Sequence, residues 1–207
     1  MYDRDMAEVS AFVLAGGRSS RMGMDKAFVE FQGRMLLERA LAVVTAITPN
    51  VYILGSRAKF DALGKVVEDV FPDHGPLGGI HAALRASTSE LNLLLAVDMP
   101  FVQQSFLNYL VSEAGKHGAM VTVPKAAGNW QPLCAVYRQE FGDLAESALR
   151  SGRNKIDPLF REVPVRVIAE DELASGGFSA EMFRNLNSPE ELRAAEHETH
   201  TEKQELL

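Results

Sequence analysis

The chain is poor in cysteine, in basic charge and in long apolar runs, and each shortage closes off a class of protein. Cys134 is its single cysteine, so no intramolecular disulfide can form, and a reducing, cytoplasmic setting is expected. The longest apolar stretch lies near Leu91 to Val97, which is strand-length and far below the ~20 residues that a membrane-spanning helix needs. The polar start Met1-Tyr2-Asp3-Arg4-Asp5 has no secretory pattern, and no membrane association is expected. Lys and Arg number 21 against 28 Asp and Glu, a net charge of -7 that repels polyanions and disfavours a nucleic-acid binder. Any phosphate site must come from a local cluster of cations.

What the chain does have is an ordinary globular balance. With 46% hydrophobic and 24% charged residues in 207, it can bury a substantial core, and its length favours one larger domain. Val9 to Leu14, Val51 to Leu54, Val66-Val67 and Leu91 to Val97 read as buried strands. Between them, Leu36, Leu37, Ala40, Leu41, Val44 and Ile47 recur at helical spacing, and helices are also expected over Arg57 to Leu63 and Pro76 to Ala86. Ala27 to Phe31 alternates weakly, as a short strand. After a helix carrying Phe106, Tyr109 and Leu110, Ala119 to Val123 reads as a strand and Leu133 to Tyr137 as one that returns antiparallel. Phe141 to Leu149 reads as a helix and Val163 to Ile168 as a strand. Ser188 and Glu191 have capping-box spacing at the head of a helix over Pro189 to Ala195, and residues 196–207 are expected to be a flexible tail. Strands alternating with helices predict an α/β, Rossmann-like three-layer α/β/α sandwich with a mostly parallel twisted sheet and an antiparallel strand.

The chemistry concentrates in Leu14-Ala15-Gly16-Gly17-Arg18-Ser19-Ser20-Arg21-Met22-Gly23-Met24-Asp25-Lys26. Gly16 and Gly17 let backbone N–H groups approach an anion, while Arg18, Arg21 and Lys26 can neutralise phosphate oxygens. The spacing is neither a Walker A loop nor the Gly-x-Gly-x-x-Gly dinucleotide fingerprint; a plain Gly turn with solvated cations is the other reading. Asp98, just beyond a buried strand, sits where an open α/β sheet places ligands, and its carboxylate can hold Mg²⁺ with phosphate oxygens and waters or simply cap the next helix. His74 and His81 lack partners at metal-ligand spacing and are expected in loop or helix-surface roles. Cys134 reads as a packing residue. Trp130 and Gln131 are expected in a loop, and Arg153 and Lys155 are a basic pair of open role.

These blocks resemble the nucleotidyltransferases typified by molybdenum cofactor guanylyltransferase. The segment from Leu14 to Lys26 is similar to that family's signature, and Glu68-Asp69 leading to Gly75-Pro76-Leu77-Gly78-Gly79 is similar to its acid and Gly-Pro-Leu-Ala-Gly stretch. Val97-Asp98-Met99-Pro100-Phe101 is similar to its Asp-x-Pro metal segment, and Asn185-Leu186-Asn187-Ser188-Pro189-Glu190-Glu191-Leu192 to its Asn-x-Asn-Thr-Pro-Glu-Glu-Leu. The blocks keep family order over roughly 9–192. The resemblance implies a nucleotide-binding half at about 9–123 and an acceptor-binding half at about 124–195, within one domain over 1–195. It implies nucleotide contacts from Leu14, Ala15, Gly16, Gly17, Lys26, Asp69 and Asp98, metal ligation by Asp98, and catalysis by Arg21, Lys26 and Asp98. Asn185 and Asn187 would meet the acceptor, molybdopterin, although Asn187 or Ser188 can equally cap the last helix. The implied activity moves GMP from GTP to the terminal phosphate of molybdenum-loaded molybdopterin, with Mg²⁺ as cofactor and molybdenum-insertion or recipient enzymes as protein partners. Relatives that use CTP generally carry Leu-Ala-Ala-Gly where this chain has Leu14-Ala15-Gly16-Gly17, which favours GTP; an Asn near the second core strand of the best-known members is replaced here by Leu54-Gly55-Ser56. A cytidylyltransferase, a sugar-phosphate nucleotidyltransferase and a noncatalytic carrier are the alternatives.

Overall fold

The structure, a computed structural model, describes residues 8–16 and 25–205, with side chains as far as 198. Strand β1 (Val9–Leu14) alternates between two cores: Ala11 and Val13 face one apolar cluster and Phe12 the other. The strand expected over Ala27–Phe31 is instead a 3₁₀ turn at Lys26–Phe28 followed by the two-residue β2 (Glu30–Phe31), which pairs with β3 (Arg34–Met35). The Asp25 carboxylate is the reason, since it accepts the Ala27 N–H at 3.2 Å and so caps the turn. Helix α1 (Leu36–Thr45) follows, with Glu38 reaching back to the Met35 N–H. Next come β4 (Val51–Leu54), the short α2 (Arg57–Phe60), β5 (Val66–Val67) and α3 (Pro76–Ala86). All six residues of β6 (Leu91–Ala96) are buried, as expected for a strand covered on both faces.

Helix α4 (Gln104–Lys116) leads to β7 (Val121–Ala126), which starts two residues later than expected and turns at Ala127-Gly128 into β8 (Asn129–Trp130). Trp130, expected in a loop, is therefore in a strand, with its ring edge-on to Phe160. Strand β9 (Cys134–Arg138) returns antiparallel between β6 and β7, and α5 (Phe141–Arg150), β10 (Val165–Ile168) and α6 (Glu170–Ser175) follow. The last helix, α7 (Pro189–Glu205), runs well past Ala195, so the tail expected from 196 is helical at least to 205. Sequence periodicity misses this extension because it is held by polar contacts: Glu196 accepts the Gln32 N–H at 3.4 Å and Glu198 pairs with Arg184 at 2.7 Å.

Eight of the described strands form one sheet in the order β10-β7-β9-β6-β1-β4-β5, with β8 at the side of β7, and β2 and β3 make a separate two-stranded sheet. Neighbours β6-β1-β4-β5 are parallel, β9 is antiparallel to both of its neighbours, and β10 is parallel to β7. Helices α1 and α4 contribute to the cluster on one face, and α3 and α5 to the cluster on the other. From β1 the chain crosses toward β4, whereas from β6 it crosses toward β7, so the carboxyl ends of these two adjacent strands open a crevice. No helix among the described residues is long and apolar enough to cross a membrane.

Candidate active site

Lys26 opens the 3₁₀ turn that Asp25 caps, and this points its ammonium across the crevice. Its Nζ donates to Asp98 Oδ2 at 2.8 Å and to Asn187 Oδ1 at 2.7 Å. Asp98 follows β6, so β1 and β6 bring the ends of their loops together where the chain direction diverges. The third partner comes from the far end of the sequence. Leu186 N–H donates to the Asp98 carbonyl at 2.9 Å, which sets the C-terminal segment beside Asp98. Glu191 then accepts the Asn187 N–H at 2.6 Å, while Ser188 Oγ caps the Glu191 N–H as expected at 3.2 Å. Lys26 and Asp98 are each about one-fifth exposed, at 21% and 19%, so their charges are only partly screened yet remain reachable from solvent. Leu14, Ala15, Gly16, Lys26 and Asp98 border a cleft of about 170 Å³ at this point, together with Leu133.

A second, larger cleft of about 720 Å³ opens beside the first and shares Leu14, Gly16, Asp25 and Pro76 with it. Its wall carries Glu68 and Asp69 at the exit of β5 and Asp73 in the loop that follows. The Gly-Pro-Leu-Gly-Gly segment makes that wall possible. Gly75 has φ +65°, a conformation open to glycine, and Pro76 starts α3 in the next position. A Cβ at Gly79 would lie 2.6 Å from Leu14 Cδ1, so the bare helix turn lets the Leu14 side chain lie directly against α3. Burial raises the Asp69 carboxyl above its ordinary value, and the nearby His81 offsets part of that rise.

The structure thus gathers Leu14, Ala15, Gly16, Lys26, Asp69, Asp98 and Asn187 around two adjoining clefts. Gly17 and Arg21 lie outside the described residues. The Gly16 amide, expected to face an anion, instead donates to the Leu54 carbonyl at 2.9 Å, which also accepts the Ala15 N–H. Gly16 thus shapes the cleft by its bare surface. Asn185 is exposed, while its neighbour Asn187 spends its side-chain oxygen on Lys26. His81, expected at a surface, is buried at 2% exposure, with Nε2 3.4 Å from Glu146, because α5 packs over this face of α3. His74 bonds Asn154 at 2.8 Å, and Arg153 pairs with Glu162 at 2.8 Å. Cys134 is buried and its thiol pushed well up by desolvation, the state of a packing residue. Sequence reasoning missed the Lys26–Asn187 contact, which spans 161 positions, and it passed over Lys59 at the wall of the larger cleft. No local pattern marks either one.

Chemically, the small cleft offers a cation and a hard carboxylate, and the large one a wall of hydrogen-bond acceptors. The pair suits a polyphosphate joined to a group rich in N–H donors.

The family model described as MobA-like NTP transferase domain matches residues 11–176. The chain is 32% identical over 190 residues to a probable molybdenum cofactor guanylyltransferase of Clostridium perfringens, covering 90% of this chain and 95% of that one. It is 32% identical over 195 residues to the molybdenum cofactor guanylyltransferase of Desulfosudis oleivorans, covering 92% and 96%. Among solved structures, molybdopterin-guanine dinucleotide biosynthesis protein A from Archaeoglobus fulgidus superposes with a TM-score of 0.82 at 28% identity, covering 93% of this chain and 99% of that one.

Proposed function

The chain belongs to the MobA-like NTP transferase family, and from that premise we propose that it transfers GMP from GTP to molybdenum-loaded molybdopterin. It is an enzyme that transfers a nucleotide, and its relatives are named for guanylyl transfer in molybdenum cofactor synthesis. In this reading the terminal phosphate oxygen of molybdopterin forms a bond to the α-phosphorus of GTP, and the bond from that phosphorus to the bridging β-oxygen breaks. Pyrophosphate leaves and molybdopterin guanine dinucleotide remains. No covalent link to the protein is required.

The difficulty is physical: two anions must meet while charge builds on the leaving pyrophosphate, so positioning and electrostatics carry the rate. The observation that supports this reading best is the Lys26 ammonium held between Asp98 and Asn187 at the small cleft, which adjoins the large one. Lys26 would meet the triphosphate, and Asn187 would hold Lys26 in place when the cleft is empty. Guanine would lie against the acid wall, where an ionised Asp69 can accept from its N1–H and exocyclic amine. A carboxylate at the rim beside a phosphate-sized cleft suits a divalent cation, since Mg²⁺ typically takes one or two carboxylates and leaves the rest of its shell to phosphates and water. Asp98 would hold it, and the ion would neutralise charge on the phosphate oxygens. Arg21 keeps its proposed place as a second triphosphate cation, and Asn185 as a contact for the acceptor.

The test is to incubate the protein with molybdenum-loaded molybdopterin, Mg²⁺ and each of the four NTPs, then identify the product and measure pyrophosphate. Guanine dinucleotide with GTP is expected. Cytosine dinucleotide would reassign the base, and NTP binding without pyrophosphate would reduce the protein to a carrier.

A further inference from the structure

Asp25 is the one acidic side chain that borders both clefts, among the described residues. Its Oδ1 caps the turn that presents Lys26, accepting the Ala27 N–H at 3.2 Å. Its Oδ2 accepts from Lys59 Nζ at 2.6 Å. Lys59 stands on α2, across the cleft mouth, and is the cation among the described residues of a wall that otherwise carries Asp25, Glu68, Asp69 and Asp73. The two partners are unequally hydrated: Asp25 is 18% exposed and Lys59 53%. Stripping the partner from the less hydrated ion leaves a poorly solvated carboxylate at the seam where a triphosphate must pass.

We propose that Lys59 is a positioning residue for nucleotide binding: it masks the charge of Asp25 and holds that carboxylate on the α2 side of the seam, so that Lys26 faces Asp98 and the triphosphate meets no bare anion. This rests on the nucleotidyl-transfer reading above. Lys59 need not touch the nucleotide to act this way. A merely structural role would show in the melting temperature alone, whereas this one is read in substrate affinity.

The experiment compares steady-state kinetics and GTP binding, with Mg²⁺ and molybdopterin supplied, in Lys59→Met, Lys59→Arg, Asp25→Asn and the double variant Asp25→Asn/Lys59→Met. Asn keeps a side-chain oxygen for the cap while losing the charge. Lys59→Met is expected to raise KM for GTP about tenfold, from like-charge juxtaposition, with kcat within about threefold. Lys59→Arg should stay near the parent. In the Asp25→Asn background the same loss of Lys59 should move KM by less than about twofold, since no carboxylate charge is left to mask. An unchanged KM in Lys59→Met, or an equal rise in both backgrounds, overturns the proposal. If the parent uses CTP instead, the GTP assignment falls, while the same comparison run with CTP still decides the role of Lys59. A parent that binds no NTP overturns both.

Discussion

At the outer edge of the sheet, Arg166 on β10 donates to Glu113 on α4 at 2.8 Å and to Glu172 on α6, and Tyr109 completes the group by donating to Glu172. At the rim of the central strands, Lys26 donates to Asp98 and Asn187. Both clusters tie remote parts of the chain together with charge-assisted hydrogen bonds. They differ in what surrounds them. In the edge cluster the cation is saturated by protein: Arg166 spends its terminal nitrogens on Glu113, Glu172 and the Val167 carbonyl, and Glu113 is only 9% exposed. The rim cluster borders the small cleft, and in the proposed function its ions exchange partners with a ligand. In the proposed function the same chemistry therefore stabilises in one place and binds in the other, according to whether a cavity lies beside it.

The contrast is broken most directly at the rim. Lys26→Ala and Asp98→Ala are each expected to lower kcat/KM by about 10²-fold or more, roughly 2.7 kcal/mol of transition-state stabilisation, with little change in the unfolding midpoint. Near-parental turnover in both would end the assignment. At the edge the opposite holds. Arg166→Met should leave turnover within about twofold and cost about 2 kcal/mol of stability, read from urea unfolding, because it removes the cation that Glu113 and Glu172 share and leaves Glu113 to Lys116 and Glu172 to Tyr109. An intermediate case is Asn187→Ala, where loss of one hydrogen bond to Lys26 should cost about tenfold in kcat/KM with a stability change too small to account for it.

Titration sharpens the comparison further. Hydrogen bonds from Arg166 hold Glu113 and Glu172 below the ordinary value of 4.5. Their folded values are depressed, so the contribution is present above that value and lost as pH falls through the depressed range. The melting-temperature gap between the parent and Arg166→Met should then close in acid; a gap that persists would mean packing, not charge, holds this edge. Burial, followed by the bond to Glu172, pushes the Tyr109 hydroxyl up to about 12, so it stays protonated as a donor throughout. Asp69 has the opposite sign. Burial raises it, so the folded state favours its protonated form, and the stability this gives at low pH is lost as pH rises through the raised value. Asp69→Asn should thus slightly raise the melting temperature at pH 7 while weakening GTP binding, and the thermal gain should vanish toward acid pH. A drop in melting temperature at pH 7 would argue that the Asp69 carboxylate is structural.

Much of the fold could be read because strands and helices leave local, periodic signals. Val9–Leu14, Val51–Leu54, Val66–Val67 and Pro76–Ala86 appear with the expected bounds, since each is an apolar run or stripe cut off by glycine, proline or acid. The misreadings come where a single polar contact decides. Asp25 turns the residues after it into a 3₁₀ turn, and the Glu196 and Glu198 contacts extend α7 beyond its apolar periodicity. His81 was unreadable for another reason: the side chain is buried by α5, which lies some sixty positions away.

By itself, the order of residues determined that the chain makes an α/β sheet, that Gly16, Asp69 and Asp98 stand at strand exits and that Lys26 belongs to the loop segment after the first strand, because hydrophobic period and loop chemistry act over a few neighbouring positions. Only the tertiary structure decided which of those exits share a cleft, that Leu54 takes up the Gly16 amide, and that Asn187 and Lys59 stand beside the two residues of the Asp25-Lys26 pair. Those contacts join groups 34 to 161 positions apart, and nothing local encodes a meeting that depends on how strands are ordered across the sheet.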